Sequence, residues 1–222
     1  MKKAFFYFMG LLLCFGCSDD AEDQINTSEN EGSNDEGIML ADMVSIPDGA
    51  FEQALIDLNF DDELDGEVDK SRIDFISELT VNDKGITDLT GISEFDALVN
   101  LNIRNNEITS LDVSNNTSLL FVWAEDNELE TINVLGLSSL EKLGLDRNNL
   151  ELIDVSGNTA IQLLTVSDNQ LSGIDVSSNN ALTDFTVIDN PLNCILVNEA
   201  QLNDIPTDWV KDETDSYSLD CQ

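Results

Sequence analysis

The chain has 222 residues, 41% of them apolar, which is enough for one domain of moderate size with a real core plus extra segments. It carries 9 basic and 45 acidic residues, a net charge of -36, and no histidine. Coulomb repulsion at that charge argues against nucleic acid and anionic lipid headgroups as partners and favours solubility in a salty medium. The missing histidine excludes His-based triads, imidazole general bases and H-E-x-x-H zinc sites.

The first residues, "MKK", are a short positive segment, and "AFFYFMGLLLCFG" is an apolar run of 13 residues. That run is short for a membrane span of about 20 residues and suits the apolar region of a signal peptide. It ends in "CFGC", with small Gly16 before Cys17. This resembles a bacterial lipobox, although Cys14 stands where that motif usually has Leu. The resemblance implies a signal peptide over 1–16 and a fatty-acylated (palmitate-bearing) Cys17 as the mature N-terminus. The following "SDDAED" resembles the surface-export signal of some Gram-negative lipoproteins. The expected location is therefore the outer membrane, lipid-anchored and exposed on the cell surface. Losing Lys2 and Lys3 would leave 7 basic against 45 acidic residues, 7 - 45 = -38. Cys14 would leave with the signal, so Cys194 and Cys221 remain, and in an exported protein two such cysteines most simply form a disulfide. Two free thiols or a metal site is the competing reading, without a histidine or a CxxC spacing to support it.

Residues 17–44 are acidic and rich in Ser, Asn, Gly and Glu, and read as a disordered tether. An N-terminal cap is expected over 45–75. In "SIPDGAFEQALIDLNF", Pro47 and Asp48 give a helix-start signal, and Phe51, Leu55 and Leu58 share one face of a helix over about 49–59. In the following loop, Asp61, Glu63, Asp65 and Gly66 match positions 1, 3, 5 and 6 of an EF-hand. Position 12, which needs a bidentate Glu, is Arg72, so the stretch reads as an acidic turn.

From Leu98 the chain repeats every 21 residues, with units starting at Leu98, Leu119, Leu140, Ile161 and Leu182. The shared pattern is L-x-x-L-x-L-x-x-N-x-L-x-x-L-x-V, and "ISELTVNDKGITDLTGISEFDA" is an earlier unit with Lys84 in place of the Asn. The x-x-L-x-L alternation predicts a short strand with Leu inward and x residues outward. The column Asn106, Asn127, Asn148, Asn169 and Asn190 falls where each coil turns, where an amide can satisfy unpaired backbone groups. One coil cannot bury its apolar face, so the units stack into a parallel solenoid.

These repeats resemble leucine-rich repeats, close to the short bacterial kind found in secreted and internalin-like surface proteins. The resemblance covers roughly 45–222. It implies a leucine-rich-repeat solenoid over 76–197 with parallel β-strands on the concave face, little helix on the convex side and a helical N-terminal cap. A C-terminal cap over 198–222, closed by the Cys194–Cys221 pair, is implied as well. Trp209 would then be cap core.

The outward strand positions form ladders across the concave face: Asn100, Phe121, Lys142, Leu163 and Asp184 in one, and Asn102, Trp123, Gly144, Thr165 and Thr186 in the next. A third runs Arg104, Glu125, Asp146, Ser167 and Ile188. The candidate partner-binding residues are Phe121 and Trp123, with Leu163 two coils on and Arg104, Lys142 and Arg147 as nearby cations. A one-residue slip would instead bury the aromatic pair and expose Val122 and Ala124. The column Asp112, Asn133, Asp154 and Asp175 reads as a solvated edge, with divalent-ion binding as the sharper alternative. No P-loop or G-x-G-x-x-G occurs, and no enzyme activity, cofactor or metal is expected. The expected function is recognition of a protein or glycan at the cell surface by a monomer, with membrane contact through its lipid. An architectural envelope component, or an accessory subunit of an outer-membrane adhesion or uptake complex, is the alternative.

Overall fold

The computed structural model describes residues 42–221. The signal peptide, Cys17 and nearly all of the tether lie outside the described residues. Order is present already at Met43, where β1 (Met43–Ser45) precedes α1 (Gly49–Asp57) and pairs antiparallel with β2 (Glu67–Asp69). The earlier start follows from burial, since Val44 and Ile46 are both core residues. Asp48 caps α1 as the pattern requires, accepting hydrogen bonds from the Ala50 and Phe51 amides at 2.9 Å. The helix is shorter than expected: Leu58 is its C-cap and 39% exposed, because Asn59 turns the chain with a left-handed φ of 63°. Phe51, Ala54 and Leu55 form its buried face instead.

The repeats then follow in order. The first strands are β3 (Glu78–Thr80), β4 (Asn100–Asn102), β5 (Ser110–Asp112), β6 (Phe121–Trp123) and β7 (Thr131–Asn133). Next come β8 (Lys142–Gly144), β9 (Leu163–Thr165), β10 (Gly173–Asp175), β11 (Asp184–Thr186) and β12 (Cys194–Leu196). The five-residue α2 (Glu199–Asn203), β13 (Asp208–Val210) and β14 (Tyr217–Ser218) complete the chain. Strands β3, β4, β6, β8, β9, β11 and β13 form one seven-stranded sheet, parallel throughout. On the other side of each coil, β5 pairs with β7, and β10, β12 and β14 form a second ladder. Between those two ladders Glu151–Asp154 forms no strand, and Leu152 stands 74% exposed. The expected solenoid is therefore present, with its Leu, Ile and Val columns in one continuous core.

Two amide ladders hold the coils together. Asn148 illustrates the first: its Nδ2 donates to Leu145 O in its own coil and Ala124 O in the preceding one, both at 3.0 Å, while its Oδ1 accepts from Leu129 N. Asn106, Asn127, Asn169 and Asn190 repeat the bridge to the preceding coil. Lys84, at the matching place in the first coil, leaves its own and Ile86's amides to Asn106 Oδ1. The residue before each Asn, and before Lys84, adopts positive φ: Asp83, Asn105, Asp126, Arg147, Asp168 and Asp189. Five of these six are Asp or Asn, the non-glycine types that tolerate this region best.

The second ladder escaped sequence reading. Asn116, Asn158, Asn179 and Gln201 send their side-chain NH2 groups to carbonyls of the preceding coil on the opposite turn. Leu137 takes that place in the coil between Asn116 and Asn158, fully buried.

The C-terminal cap continues both sheets. Trp209 is cap core, 7% exposed, edge-on to Phe185 at 5.3 Å and near Tyr217 at 5.7 Å, with Nε1 donating to Leu182 O. The Cys194–Cys221 disulfide forms, with Cα atoms 5.8 Å apart, and ties β12 to the chain end.

Candidate recognition face

The register of the seven-stranded sheet reproduces the outward ladders. Asn100, Phe121, Lys142, Leu163 and Asp184 are neighbours in series, flanked by Glu78 and Asp208. Beside them run Thr80, Asn102, Trp123, Gly144, Thr165, Thr186 and Val210. Val122 and Ala124 are fully buried, whereas Phe121 and Trp123 are half-buried on the sheet's outer face. The one-residue slip does not occur. Leu119 and Leu129, both fully buried, hold the strand in the common register at its two ends.

Around Trp123 three coils converge. A Cβ at Gly144 would lie 2.9 Å from Trp123 Cε3 and 2.7 Å from Glu125 Oε1, so both side chains use space that only glycine leaves. Arg104 Cζ sits 4.7 Å from the indole centroid, and its Nε and NH2 groups donate to the two Glu125 oxygens at 2.7 Å each. This is a bidentate pair with its carboxylate only 12% exposed, a geometry that fixes the guanidinium plane over the ring. Lys142 Nζ lies 5.6 Å from the Phe121 centroid. Each aromatic is thus covered in part by a cation of its own chain.

Arg147 sits at the rim, exposed, and donates to Asp126 across one coil at 2.6 Å, which holds that carboxyl below its usual range. The basic residues expected to attract a partner are accordingly not equivalent. Arg104 and Arg147 are each neutralised by a neighbouring carboxylate, and Lys142 alone of the three forms no ion pair among the described residues. Leu163 lies beside Lys142 and is half-buried. Burial pushes the Asp146 carboxyl up, against a hydrogen bond from Ser167 N at 2.7 Å.

Several side chains on this face carry polar atoms without partners. The carboxamide oxygens of Asn82, Asn100 and Asn102 and the Ser167 hydroxyl are sealed from solvent and make no hydrogen bond. Asn100 and Asn102 pair in register with Phe121 and Trp123. Sequence reading placed both asparagines on the face but assigned them no role.

The two acidic candidates resolve into turn chemistry. Asp112, Asp154 and Asp175 accept from the amides of Ser114, Ser156 and Ser177, two residues on, and Asn133 does the same for Leu135. In the N-terminal loop, Glu52 is buried and its Oε1 accepts from the Asp65 and Gly66 amides at 2.7 and 2.5 Å, so a helix residue closes the acidic turn. No cluster of three or more acidic, histidine or cysteine side chains among the described residues is arranged to hold a metal ion. No helix among the described residues is long and apolar enough to cross a membrane.

A stack of short parallel strands, Asn turns and capped ends defines a leucine-rich-repeat solenoid. Among solved structures, the functional domain of InlJ from Listeria monocytogenes, which includes a cysteine ladder, matches with a TM-score of 0.66 and 25% identity. That likeness covers 81% of this chain and 45% of the InlJ domain, so the chain spans under half of it. Internalin C2 from Listeria monocytogenes matches with a TM-score of 0.50 and 21% identity, over 78% of this chain and 87% of that one, a likeness of fold alone. No protein-family model and no curated protein matches the chain. The fold is one that commonly serves protein binding by presenting an extended concave surface.

Proposed function

We propose that this chain is a surface lipoprotein, anchored in the outer membrane through Cys17, whose concave face binds a protein or glycan partner without chemistry. The observation that carries the reading is the assembly at Trp123. An aromatic pair, the glycine that admits it and a bidentate Arg104–Glu125 clamp are held rigid on adjacent strands. Nothing in the solenoid's packing needs these groups, because Val122, Leu143 and their neighbours already fill the core. A preformed surface of this kind binds with little ordering cost, and aromatic and Arg side chains dominate such contacts. The lipobox-like "CFGC" and the acidic "SDDAED" support the anchored location.

The test is Phe121→Ala/Trp123→Ala in the full lipidated chain, with Leu152→Ser on the opposite side as control. Adhesion of cells displaying each chain to host surfaces and to immobilised glycans is compared. Loss with the concave pair and retention with the control supports the reading. Equal adhesion by both variants overturns it and favours an architectural role.

A further inference from the structure

Resting on the concave face as the recognition site, we infer that its ligand is a linear, uncharged glycan lying along the central ladder. That ladder, from Thr80 through Asn102, Trp123 and Gly144 to Val210, contains no charged residue, although the chain has 45 acidic ones. The ladders on either side do carry charge, with Glu78, Lys142 and Asp184 on one and Arg104, Glu125 and Asp146 on the other. The neutral strip is one side chain wide. At about 4.8 Å per strand, its first six members span roughly 24 Å. A track of that shape fits a single extended chain better than the broad patch of a globular partner.

The groups on the strip, and Asn100 beside it, match hydroxyls. The side-chain carboxamides of Asn100 and Asn102 form no hydrogen bond within the protein, and their oxygens are cut off from water. An amide with no internal bond can turn half a revolution about its last torsion and present either NH2 or oxygen. Sugar hydroxyls both donate and accept, so they satisfy either orientation. Thr165 and Thr186 add hydroxyls further along the strip. The half-buried indole of Trp123, between Asn102 and Gly144, keeps an exposed apolar part beside the Arg104 guanidinium for the C–H groups of a pyranose. A uronic-acid or sulfated chain would meet the chain's net charge of -36 and be repelled, whereas a neutral one meets no such field.

The experiment is isothermal titration of the mature chain with cellohexaose, xylohexaose and mannohexaose, and with hexagalacturonate as the charged comparison. The inference expects saturable binding of at least one neutral hexamer at ~1 mM or tighter. Binding should hold between 0.05 and 0.5 M salt, as ligand neutrality dictates. Asn100→Ala/Asn102→Ala should weaken it about tenfold while leaving the melting temperature in place. Preferential binding of the galacturonate, or neutral binding indifferent to these two asparagines, overturns the inference. If no neutral hexamer binds but Phe121→Ala/Trp123→Ala still abolishes cell adhesion, the glycan assignment fails and the concave site stands. If adhesion also survives, both fail.

Discussion

The indole of Trp123 occupies the space above Gly144 that the other strands of the ladder fill with a side chain; a Cβ there would fall 2.9 Å from Cε3. The glycine is therefore part of the recognition face, since it lets Trp123 and Glu125 settle and Glu125 then holds Arg104 over the ring.

Gly144→Ala should consequently break the assembly without unfolding the domain. The new methyl would also meet Glu125 Cδ at 2.8 Å, and the Arg104 clamp resists moving that carboxylate. A stability loss of about 1–3 kcal/mol is expected from the overpacking. Trp123 emission should shift to the red as the ring is lifted into water. An unchanged spectrum with unchanged stability would show that the glycine is incidental.

Asn148→Ala tests the turn ladder. It leaves the Leu129 amide without its partner and removes one of two side-chain donors from the Ala124 and Leu145 carbonyls, which keep Asn127 and Asn169, in a site only 5% exposed. About 1–3 kcal/mol should be lost in urea unfolding, with the surface variant Asn149→Ala near neutral. Similar midpoints for the two would contradict the bridging role.

Much of this was legible in the sequence because the 21-residue period places every inward Leu and every turn Asn in register. The outward positions of Phe121 and Trp123 followed from that period, and their place on the concave face from the resemblance to leucine-rich repeats. What the period could not reveal is how long side chains bend across coils. Arg104 and Glu125 are 21 residues apart and could each have pointed to water. The Asn116, Asn158 and Asn179 ladder was hidden because Leu137 interrupts it and Gln201 ends it. The acids Asp112, Asp154 and Asp175 looked like a charged edge, yet each caps a turn two residues ahead, a local role that a column of like charges obscures.

The pH profile should have two limbs of opposite sign. Burial pushes Asp61 and Asp146 up, so they weigh against the fold at neutral pH, and that penalty is relieved as pH falls through their raised values towards 3.8. At Asp48 burial also raises, but hydrogen bonds from Phe51, Thr87 and Asp88 outweigh it, and its carboxyl lies below 3.8. Amide and hydroxyl donors from Ser114 and Ser156 likewise lower Asp112 and Asp154. Those contributions persist above 3.8 and vanish as pH drops below it. At low salt the melting temperature should rise as pH falls from neutral towards 3.8, aided by easing of the net repulsion, and fall below that. Asp61→Asn should flatten the rising limb; an unaltered limb in that variant would remove Asp61 from the explanation.

Cys194→Ser/Cys221→Ser opens a loop of 27 residues and should cost roughly 3–4 kcal/mol if chain entropy dominates. The loss should appear first at the cap, as faster proteolysis beyond residue 198 and altered emission from Trp209, with the Trp123 environment intact. Uniform destabilisation of both tryptophans would mean that the cap and the repeats unfold as one unit.

The most direct measurement leaves the only tryptophan on the face itself. Trp209→Phe leaves Trp123 as the single tryptophan of a chain that has two, and circular dichroism verifies that the solenoid persists. Its emission is followed while the neutral hexasaccharides, and then detergent-solubilised native envelope, are titrated in. A saturable change in Trp123 emission, lost in Asn100→Ala/Asn102→Ala for the sugars, is the predicted result. Demonstrated attachment of a sugar or envelope component with Trp123 emission unmoved would place recognition elsewhere on the solenoid.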